Sequence, residues 1–230
     1  MKQLYPLLVF LLLGMYAYPQ SQANIWYFGG TAGVDFNSGS PVAITNGVLS
    51  TNEGSATISD AAGNLLFYTD GIRVWNRNHV QMPNGNGLLG DPSSAQSGII
   101  VPKPGSSTRY YIFTVAAQGT SGGFCYSEVD MTLNGGLGDV ITATKNTQLF
   151  TPAVEKCAAV KHANGLYIWV IAHGFNNNIY YAYLVDCSGV SAPVTSAVGQ
   201  VEGWPGWGCL TASNDGTKLA SAMRMIGFEL

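Results

Sequence analysis

A hairpin-like pattern recurs four times along the chain, and this recurrence limits the possible folds more than any other feature of the sequence. In each copy, an apolar run leads into a short turn that contains glycine, and a second apolar run follows. Such runs between Gly, Asp and Asn are typical of β-hairpins, because these residues tolerate the backbone angles of a tight reversal. The predicted hairpins lie near residues 55–69, 98–115, 157–172 and 209–222.

The repeated unit is longer than a hairpin. A third apolar run follows each of the first three hairpins, at residues 74–76, 124–129 and 179–185, and a fourth run begins at Phe228. One glycine marks the turn of each hairpin, namely Gly63, Gly105, Gly165 and Gly216. Successive turn glycines are 42 to 60 residues apart. This spacing suits the blades of a β-propeller, whose repeats run to about 40–50 residues with variable insertions.

We therefore predict an all-β protein, a β-propeller with about four blades. Inner runs such as residues 99–101 and 167–172 are apolar on both faces, as expected for strands that are covered on both sides. The alternative folds are a β-sandwich or a β-solenoid; a sandwich shows turn signals every ~8–12 residues without a long repeat. Three polar, glycine-rich stretches are predicted as connections between strands, at residues 76–97, 130–140 and 192–207.

The composition supports a turn-rich β protein with uncharged surfaces. Charged residues make up 10% of the chain, against roughly 25% in ordinary soluble domains, and 29 of the 230 residues are glycine. The net charge is −3, and the 10 lysines and arginines are spread thinly. Because nucleic-acid binding needs a basic patch, we expect no nucleic-acid partner.

The N-terminus has the pattern of a secretory signal peptide. Lys2 precedes an almost wholly apolar run at residues 4–16, and Ser21-Gln22-Ala23 places small residues at a cleavage site. The run is shorter than the ~20 residues that a membrane-spanning helix needs, and no later stretch could span a bilayer. We predict cleavage after Ala23, export of the protein, and a propeller domain over residues 24–230.

The four cysteines give no metal or redox motif. None of them belongs to a C-x-x-C pair, which argues against a zinc or thioredoxin-like site. Export permits disulfides, and four cysteines allow three pairings, among which the sequence does not choose. Because each cysteine lies in an apolar run, we expect buried free thiols at Cys125, Cys157, Cys187 and Cys209.

Several long phrases resemble one known family. They are NIWYFGGTAGVDFN from Asn24, EGSATISDAAGNLLFYTDG from Glu53, MPNGNGLLGDPSSAQSGIIVPKPG from Met82, VDMTLNGGLGDV from Val129 and NDGTKLA from Asn214. The sequence resembles the N-terminal propeller region of large exported Bacteroidetes proteins, which often carry PKD-like repeats and a gliding-motility-associated C-terminal sorting domain. The resemblance covers nearly all of residues 24–220.

This resemblance implies a WD-repeat-like propeller at the cell surface or outside the cell, and it implies no catalytic residues. The sorting domain is missing from the sequence, and the chain ends inside a predicted strand at Leu230. We therefore expect a truncated product or a fragment, with an incomplete propeller ring and with surface attachment left open.

Two short glycine motifs lack the context that their chemistry requires. Residues 85–90 match G-x-G-x-x-G and residues 119–123 match G-x-S-x-G, but neither is followed by a predicted helix. Metal binding is not expected at His162 and His173, which flank a predicted strand and need not converge. A glycosidase would need two carboxylates across its substrate. The glutamates available for that role are Glu53, Glu128, Glu155 and Glu202.

Trp204 and Trp207 are the predicted ligand-binding residues. They stand on the Gly/Pro-rich stretch Gly203-Trp204-Pro205-Gly206-Trp207-Gly208, where exposed indoles could stack on a sugar or anchor a partner. The alternative is that they wedge between blades. The sequence thus favours a non-catalytic interaction or adhesion module without cofactor or metal, whose partner is an unknown protein or polysaccharide at the cell surface. The alternative function is a secreted carbohydrate-active enzyme, such as a glycosidase or lyase-like propeller.

Overall fold

A computed structural model of the chain describes residues 21–223 and 227–229. The predicted signal peptide therefore lies almost entirely outside the described residues. The described part is all-β and contains 19 strands with three short 3-10 turns. The 3-10 turns are Ser21–Ala23, Ala117–Gly119 and Asn134–Gly136. As regards membrane spans, the described residues include no helix that is long and apolar enough to cross a bilayer.

The strands form five antiparallel sheets that follow one another along the chain. Sheet 1 contains β1 (Ile25–Phe28), β2 (Ala32–Asp35) and β3 (Val42–Ile44). Sheet 2 contains β4 (Ala56–Ser59), β5 (Leu65–Thr69), β6 (Arg73–Asn76) and β7 (Gln81–Asn86). Sheet 3 contains β8 (Gly98–Pro102), β9 (Arg109–Val115) and β10 (Phe124–Asp130), with β11 (Asp139–Val140) and β12 (Thr147–Phe150) both paired to β10.

Sheets 4 and 5 complete the described part. Sheet 4 contains β13 (Ala153–Lys161), β14 (Ile168–Gly174), β15 (Asn177–Val185) and β16 (Val190–Glu202). Sheet 5 contains β17 (Gly208–Ala212), β18 (Leu219–Met223) and β19 (Gly227–Glu229). Sheets 1, 2, 4 and 5 are meanders, in which consecutive strands pair side by side. Sheet 3 is a meander from β8 to β10, and β11 and β12 then both pair with β10.

Side chains from both faces of the middle sheets pack against neighbouring sheets. In sheet 3, the ring of Tyr110 lies edge-on to Phe67 of sheet 2, with centroids 5.6 Å apart. On the opposite face, Phe124 lies 6.1 Å from Tyr183 of sheet 4. This arrangement follows from the alternation of side chains along a strand. The first strands of successive sheets also contact one another, from β1 through β4, β8 and β13 to β17. Sheets stacked face to face with their first strands together are the blades of a propeller, so the predicted fold class is confirmed.

The structure adds strands that the sequence analysis missed. The predicted hairpins correspond to β4–β5, β8–β9, β13–β14 and β17–β18, and sheet 1 precedes them as a further unit. The three predicted connections were wrong in part, because they contain β7, β11 and most of β16. Pro83 and Gly85 weaken the strand signal of β7, and both residue types are tolerated at sheet edges. In β16, residues 191–201 are all exposed. Because neither face of the strand is buried, its sequence lacks the alternating apolar residues by which a strand is recognised.

The cysteines are all free, but only two of them are buried. Cys125 and Cys157 lie in the core, whereas Cys187 and Cys209 are exposed. The expectation of four buried thiols was therefore wrong for the latter two: Cys187 lies in the turn between β15 and β16, and Cys209 lies on β17. Burial raises the pKa of Cys157 to about 12, which keeps this thiol protonated and unreactive.

Candidate functional site

Four connections lie close together at one end of the strands of sheets 2 to 5, and we call the surface that they form the connecting face. It is formed by residues 87–97, 116–123, 174–176 and 203–207, which join strands within or between the sheets. The connections are tied to one another through the carboxylate of Glu155, which accepts backbone N–H groups, and through close approaches of glycines to side chains. Functional residues of propellers and barrels commonly lie on connections of this kind, because the sheets hold the loops in place.

Phe175 is the packing centre for three of these connections. A Cβ atom at Gly119 would lie 2.5 Å from the Phe175 ring, and one at Gly206 would lie 3.4 Å from it. Gly119 and Gly206 have φ values of 68° and 75°, which favour glycine. The backbone N–H of Phe175 donates to the carbonyl of Pro152 (3.0 Å). The loop at 203–207 therefore packs against the ring of Phe175.

The two predicted ligand-binding tryptophans lie in different environments. Trp204 is 74% exposed, the largest exposed fraction among the large apolar residues of the described chain. Trp207 is half-buried and lines a shallow depression with Glu202 and Met223, which belong to sheets 4 and 5. Pro205, between the two tryptophans, is buried. The loop thus presents one indole to solvent and directs the other toward the contact between two sheets.

Glu155 forms the buried floor of the connecting face. Its side chain has no exposed surface, and its two carboxylate oxygens accept the backbone N–H groups of Gln118 (2.8 Å) and Ala95 (3.2 Å). Burial raises the pKa of this carboxyl. Gln118 adopts a left-handed backbone with φ of 51°, and its N–H bond to Glu155 supports that conformation. The backbone N–H of Glu155 itself donates to Gly206 (3.0 Å).

Gln96 joins the first strands of sheets 4 and 5. Its side-chain oxygen accepts the backbone N–H of Leu210 (2.8 Å) and of Cys157 (3.3 Å). Its side-chain nitrogen donates to the carbonyl of Leu210 (3.3 Å). A side-chain amide suits this role because it has one donor end and one acceptor end. It forms hydrogen bonds with backbone groups of β13 and β17, two strands that do not pair with each other directly.

A buried polar cluster lies below the loop at 203–207, and we call it the Lys156 cluster. Lys156 Nζ lies 2.6 Å from Glu202 Oε2 and donates to Ser221 Oγ (2.7 Å) and to the carbonyl of Ala222 (3.1 Å). Ser221 Oγ donates to the other oxygen of Glu202 (3.0 Å). Lys156 and Glu202 belong to sheet 4 and Ser221 to sheet 5, so the cluster joins the two sheets.

A serine beside a lysine can act as a nucleophile and base, but this pair lacks the required arrangement. A lysine base must give up its proton, and an ion pair with a carboxylate favours the charged form. The hydroxyl of Ser221 points its proton at Glu202, and Ser221 is 1% exposed. A substrate could not reach this hydroxyl without separating sheets 4 and 5. The Lys156 cluster is therefore a structural contact.

Three of the four glutamates considered for glycoside cleavage have structural partners. Glu128 lies 3.3 Å from Lys103 and 3.0 Å from Arg109 on sheet 3. Glu155 and Glu202 make the contacts described above. Glu53 is exposed in the connection before β4. Glu53 lies close enough to Glu155 for its charge to help raise the pKa of that carboxyl, but Glu155 is fully buried and both of its oxygens accept backbone N–H groups.

The two histidines flanking β14 lie at its opposite ends. His162 Nδ1 accepts the backbone N–H of Asn164 in the turn before β14. His173 is fully buried near the end of β14 and lies edge-on to Tyr180, with centroids 4.4 Å apart. Within residues 21–223 and 227–229, no three side chains of the metal-ligating types form a group that could hold a metal.

The glycine motifs belong to strands and turns. Residues 85–90 run from the end of β7 into a loop, and residues 119–123 form most of the turn between β9 and β10. Sequence reasoning did not identify Gln96 or Lys156 as important. A signal for Lys156 existed, since Glu155 and Lys156 are adjacent charges inside an otherwise apolar run. Gln96 carried no comparable signal.

No protein family and no curated protein matches the chain. Among solved structures, the chain is similar to the propeller of Dos1, with a TM-score of 0.42 and 12% sequence identity, over 86% of this chain and 49% of that chain. The assignment of sheets 1 to 5 to propeller blades rests on their packing, as described above.

Proposed function

We propose that the protein is an exported, non-catalytic interaction module that binds its partner through the connecting face, with Trp204 as the principal contact. The observation that carries this proposal is the exposure of Trp204 on a loop that Phe175 and Glu155 hold in place. A large apolar side chain kept in water at 74% exposure gains free energy when a partner covers it. A loop that is already fixed loses little conformational entropy on binding.

The chemistry of the loop favours a polysaccharide or an uncharged protein surface as the partner. An indole stacks on the apolar face of a sugar ring without needing a nearby cation. Neither the loop at 203–207 nor the turn at 174–176 carries a charged residue. The module is proposed to act at the cell surface or in the extracellular space, in keeping with the signal-like N-terminus and with the family resemblance.

A carbohydrate-active enzyme is less well supported than a binding module. Cleavage of a glycosidic bond requires an acid and a second carboxylate on either side of the bond. Glu128, Glu155 and Glu202 are engaged in ion pairs or backbone hydrogen bonds. A binding site needs no such pair of carboxylates. The exposed indole of Trp204 is sufficient for a binding role of the connecting face.

A glycan array, combined with an assay for released reducing ends, tests the proposal. We expect the exported protein to bind at least one polysaccharide without releasing reducing ends, and the Trp204→Ala variant to lose about thirtyfold in affinity, as for a binding hot spot. Trp26→Ala is the matched control, because Trp26 is also exposed, at 50%, but lies on sheet 1. Turnover of a polysaccharide, or equal losses in both variants, would contradict the proposal.

Export is tested separately by N-terminal sequencing of the secreted protein. The expected sequence begins at Asn24-Ile25-Trp26, because Ala23 completes the predicted cleavage site. Secreted protein that retains Met1 would contradict cleavage. Protein that stays in the cytoplasm would contradict the proposed location without bearing on the role of Trp204.

A further inference from the structure

The outer edge of sheet 4 differs from the outer edges of the other sheets. β16 is 13 residues long, and residues 191–201 are all exposed. No charged residue occurs between Asp186 and Glu202. Within the described part of the chain, β15 is the only strand that pairs with β16, so the second backbone edge of β16 faces solvent.

The other outer edges are short or covered. β3, at the edge of sheet 1, has three residues. β7, at the edge of sheet 2, contacts β11, and Asp139 accepts hydrogen bonds from both the backbone and the side chain of Asn84 (2.8 and 2.6 Å). The outer edge of sheet 3 is divided between β11 and β12, which have two and four residues. Natural sheets commonly prevent edge pairing by short strands, covering segments, charged residues, prolines or bulges. β16 is long and uncharged, and its one proline and its bulge, at Pro193 and at residues 198–201, lie on either side of residues 194–197, which leaves that stretch open to pairing.

We propose that β16 pairs with β16 of a second copy of this chain, forming a continuous antiparallel sheet across a two-fold axis. The stretch from Pro193 to Ala197 is the regular part of β16, since it pairs residue by residue with β15 and lies before the bulge at 198–201. A two-fold axis at Thr195 places Val194 opposite Ser196 of the other copy. In a two-fold dimer the same strand of each copy forms the interface. The free edge of β16 can therefore form hydrogen bonds with the identical edge of the other copy.

The side chains of β16 favour this occupant. Val194 is 59% exposed, and pairing would cover part of it. Because the edge is free of charge, two copies meet without like-charge repulsion. The proposed dimer contact adjoins a groove between sheets 4 and 5, because β16 forms one wall of that groove. Its lining is mainly apolar but includes one cation, Lys218; the other lining residues include Ser196 and Val198 of β16, Ile171 and Tyr180 of sheet 4, and Leu219 of sheet 5.

Such a dimer would present two copies of the Trp204 loop. β16 ends at Glu202, two residues before Trp204. In an antiparallel pair the two loops lie at opposite ends of the joined strands, at most roughly 60 Å apart from the rise of a strand. Two loops on one particle bind a repeating polymer more tightly than one loop does. The dimer does not depend on the proposed function, since it concerns a different edge of the molecule.

Sedimentation of the exported protein over a range of micromolar concentrations tests the proposal, with a reductant present so that the exposed thiols of Cys187 and Cys209 cannot crosslink. We expect a monomer–dimer equilibrium that Val194→Lys weakens by about tenfold or more, because a lysine on an edge strand opposes pairing. Val80→Lys is the matched control, since Val80 is also 59% exposed but precedes β7 of sheet 2. Ser196→Lys should act like Val194→Lys.

Melting temperatures accompany each measurement, and both substituted side chains on β16 are exposed, so all variants are expected to fold. A wild-type protein that stays monomeric throughout the range would overturn the proposal. So would a dimer that Val194→Lys and Ser196→Lys leave unchanged, or one that Val80→Lys weakens equally.

Discussion

The contact between sheets 3 and 4 and the contact between sheets 4 and 5 use the same geometry but different side chains. Between sheets 3 and 4, aromatic rings fill the space: Phe124 lies 6.1 Å from Tyr183, and Phe150 stacks on Tyr181 at 4.1 Å. Between sheets 4 and 5, the apolar cluster is small, and its buried members are Ala158, Tyr180 and Leu210. The Lys156 cluster lies at this second contact.

This difference indicates that successive blades are held together by two kinds of interaction. Burying aromatic rings stabilises a contact roughly in proportion to the area removed from water. A buried ion pair contributes little net stability, because desolvation of both charges offsets their attraction, but losing one partner leaves an uncompensated charge. The contact between sheets 4 and 5 therefore tolerates less change in its polar residues, while the contact between sheets 3 and 4 tolerates less change in volume.

The largest expected effect is at Lys156. Lys156→Ala should lower the free energy of unfolding by about 3–5 kcal/mol, because it leaves the carboxylate of Glu202 buried without its cation. Chemical denaturation measures this loss. Lys161→Ala is the matched control, since Lys161 lies on the same strand but is exposed, and we expect a change within about 0.5 kcal/mol there.

A double variant turns this polar contact into an apolar one. Lys156→Met with Glu202→Leu should recover most of the loss of the single variant, because replacing both partners removes the unpaired charge. A double variant that is less stable than either single variant would mean that the Lys156 cluster contributes through its hydrogen bonds with Ser221 and Ala222 rather than through charge balance.

Phe124→Ala should cost about 3–4 kcal/mol, at the contact between sheets 3 and 4. The ring is fully buried and neighbours Phe113, Phe150 and Tyr183, so its removal leaves a cavity. Phe124→Leu keeps most of the volume and should cost about 1.5 kcal/mol or less. If the alanine and leucine variants were equally stable by denaturation, packing would not be the basis of this contact.

A smaller, pH-dependent effect is expected at Glu155. Burial raises the pKa of its carboxyl in the folded protein, so the neutral form is favoured by folding. Its contribution to stability is therefore complete below the ordinary carboxyl pKa of about 4.3, and it declines as the pH rises through the folded-state pKa. Each unit by which the pKa is raised corresponds to about 1.4 kcal/mol.

Glu155→Gln removes this titration. The stability of the wild type relative to the variant should fall as the pH rises through that window, as measured by denaturation at a series of pH values. Glu53→Gln keeps the Glu155 carboxyl but removes a nearby charge that also raises its pKa, so it should reduce the pH dependence without abolishing it. A difference between wild type and Glu155→Gln that does not change with pH would show that this carboxyl does not titrate differently in the folded protein.

The sequence predicted the inner parts of the blades and missed their outer edges, for a physical reason. β9 and β14 are buried between sheets and carry apolar residues on both faces, so their pattern is readable. β7 and β16 lie at sheet edges, where Pro83 and Pro193 are tolerated and where small polar residues suffice. The strand pairing that defines such edges depends on neighbours far along the chain.

The candidate site was predictable only in part. The Gly/Pro-rich context of Trp204 and Trp207 identified their loop, but the different burial of the two indoles depends on Phe175 and on Met223, which the local sequence does not relate to the loop. The role of Gln96 was not predictable, because it arises from the spacing between β13 and β17 rather than from any motif.

The most direct test compares the two tryptophans of residues 203–207 in one experiment, by melting temperature and by binding to the polysaccharide that gives the strongest glycan-array signal. Trp204→Ala should abolish most of the binding and change stability by less than about 0.5 kcal/mol, since its ring is exposed. Trp207→Ala should lower stability by about 2 kcal/mol, less than for a fully buried indole, and should retain binding where the protein is folded. Unchanged binding by Trp204→Ala, with binding lost only where Trp207→Ala unfolds, would contradict a binding role for the exposed indole.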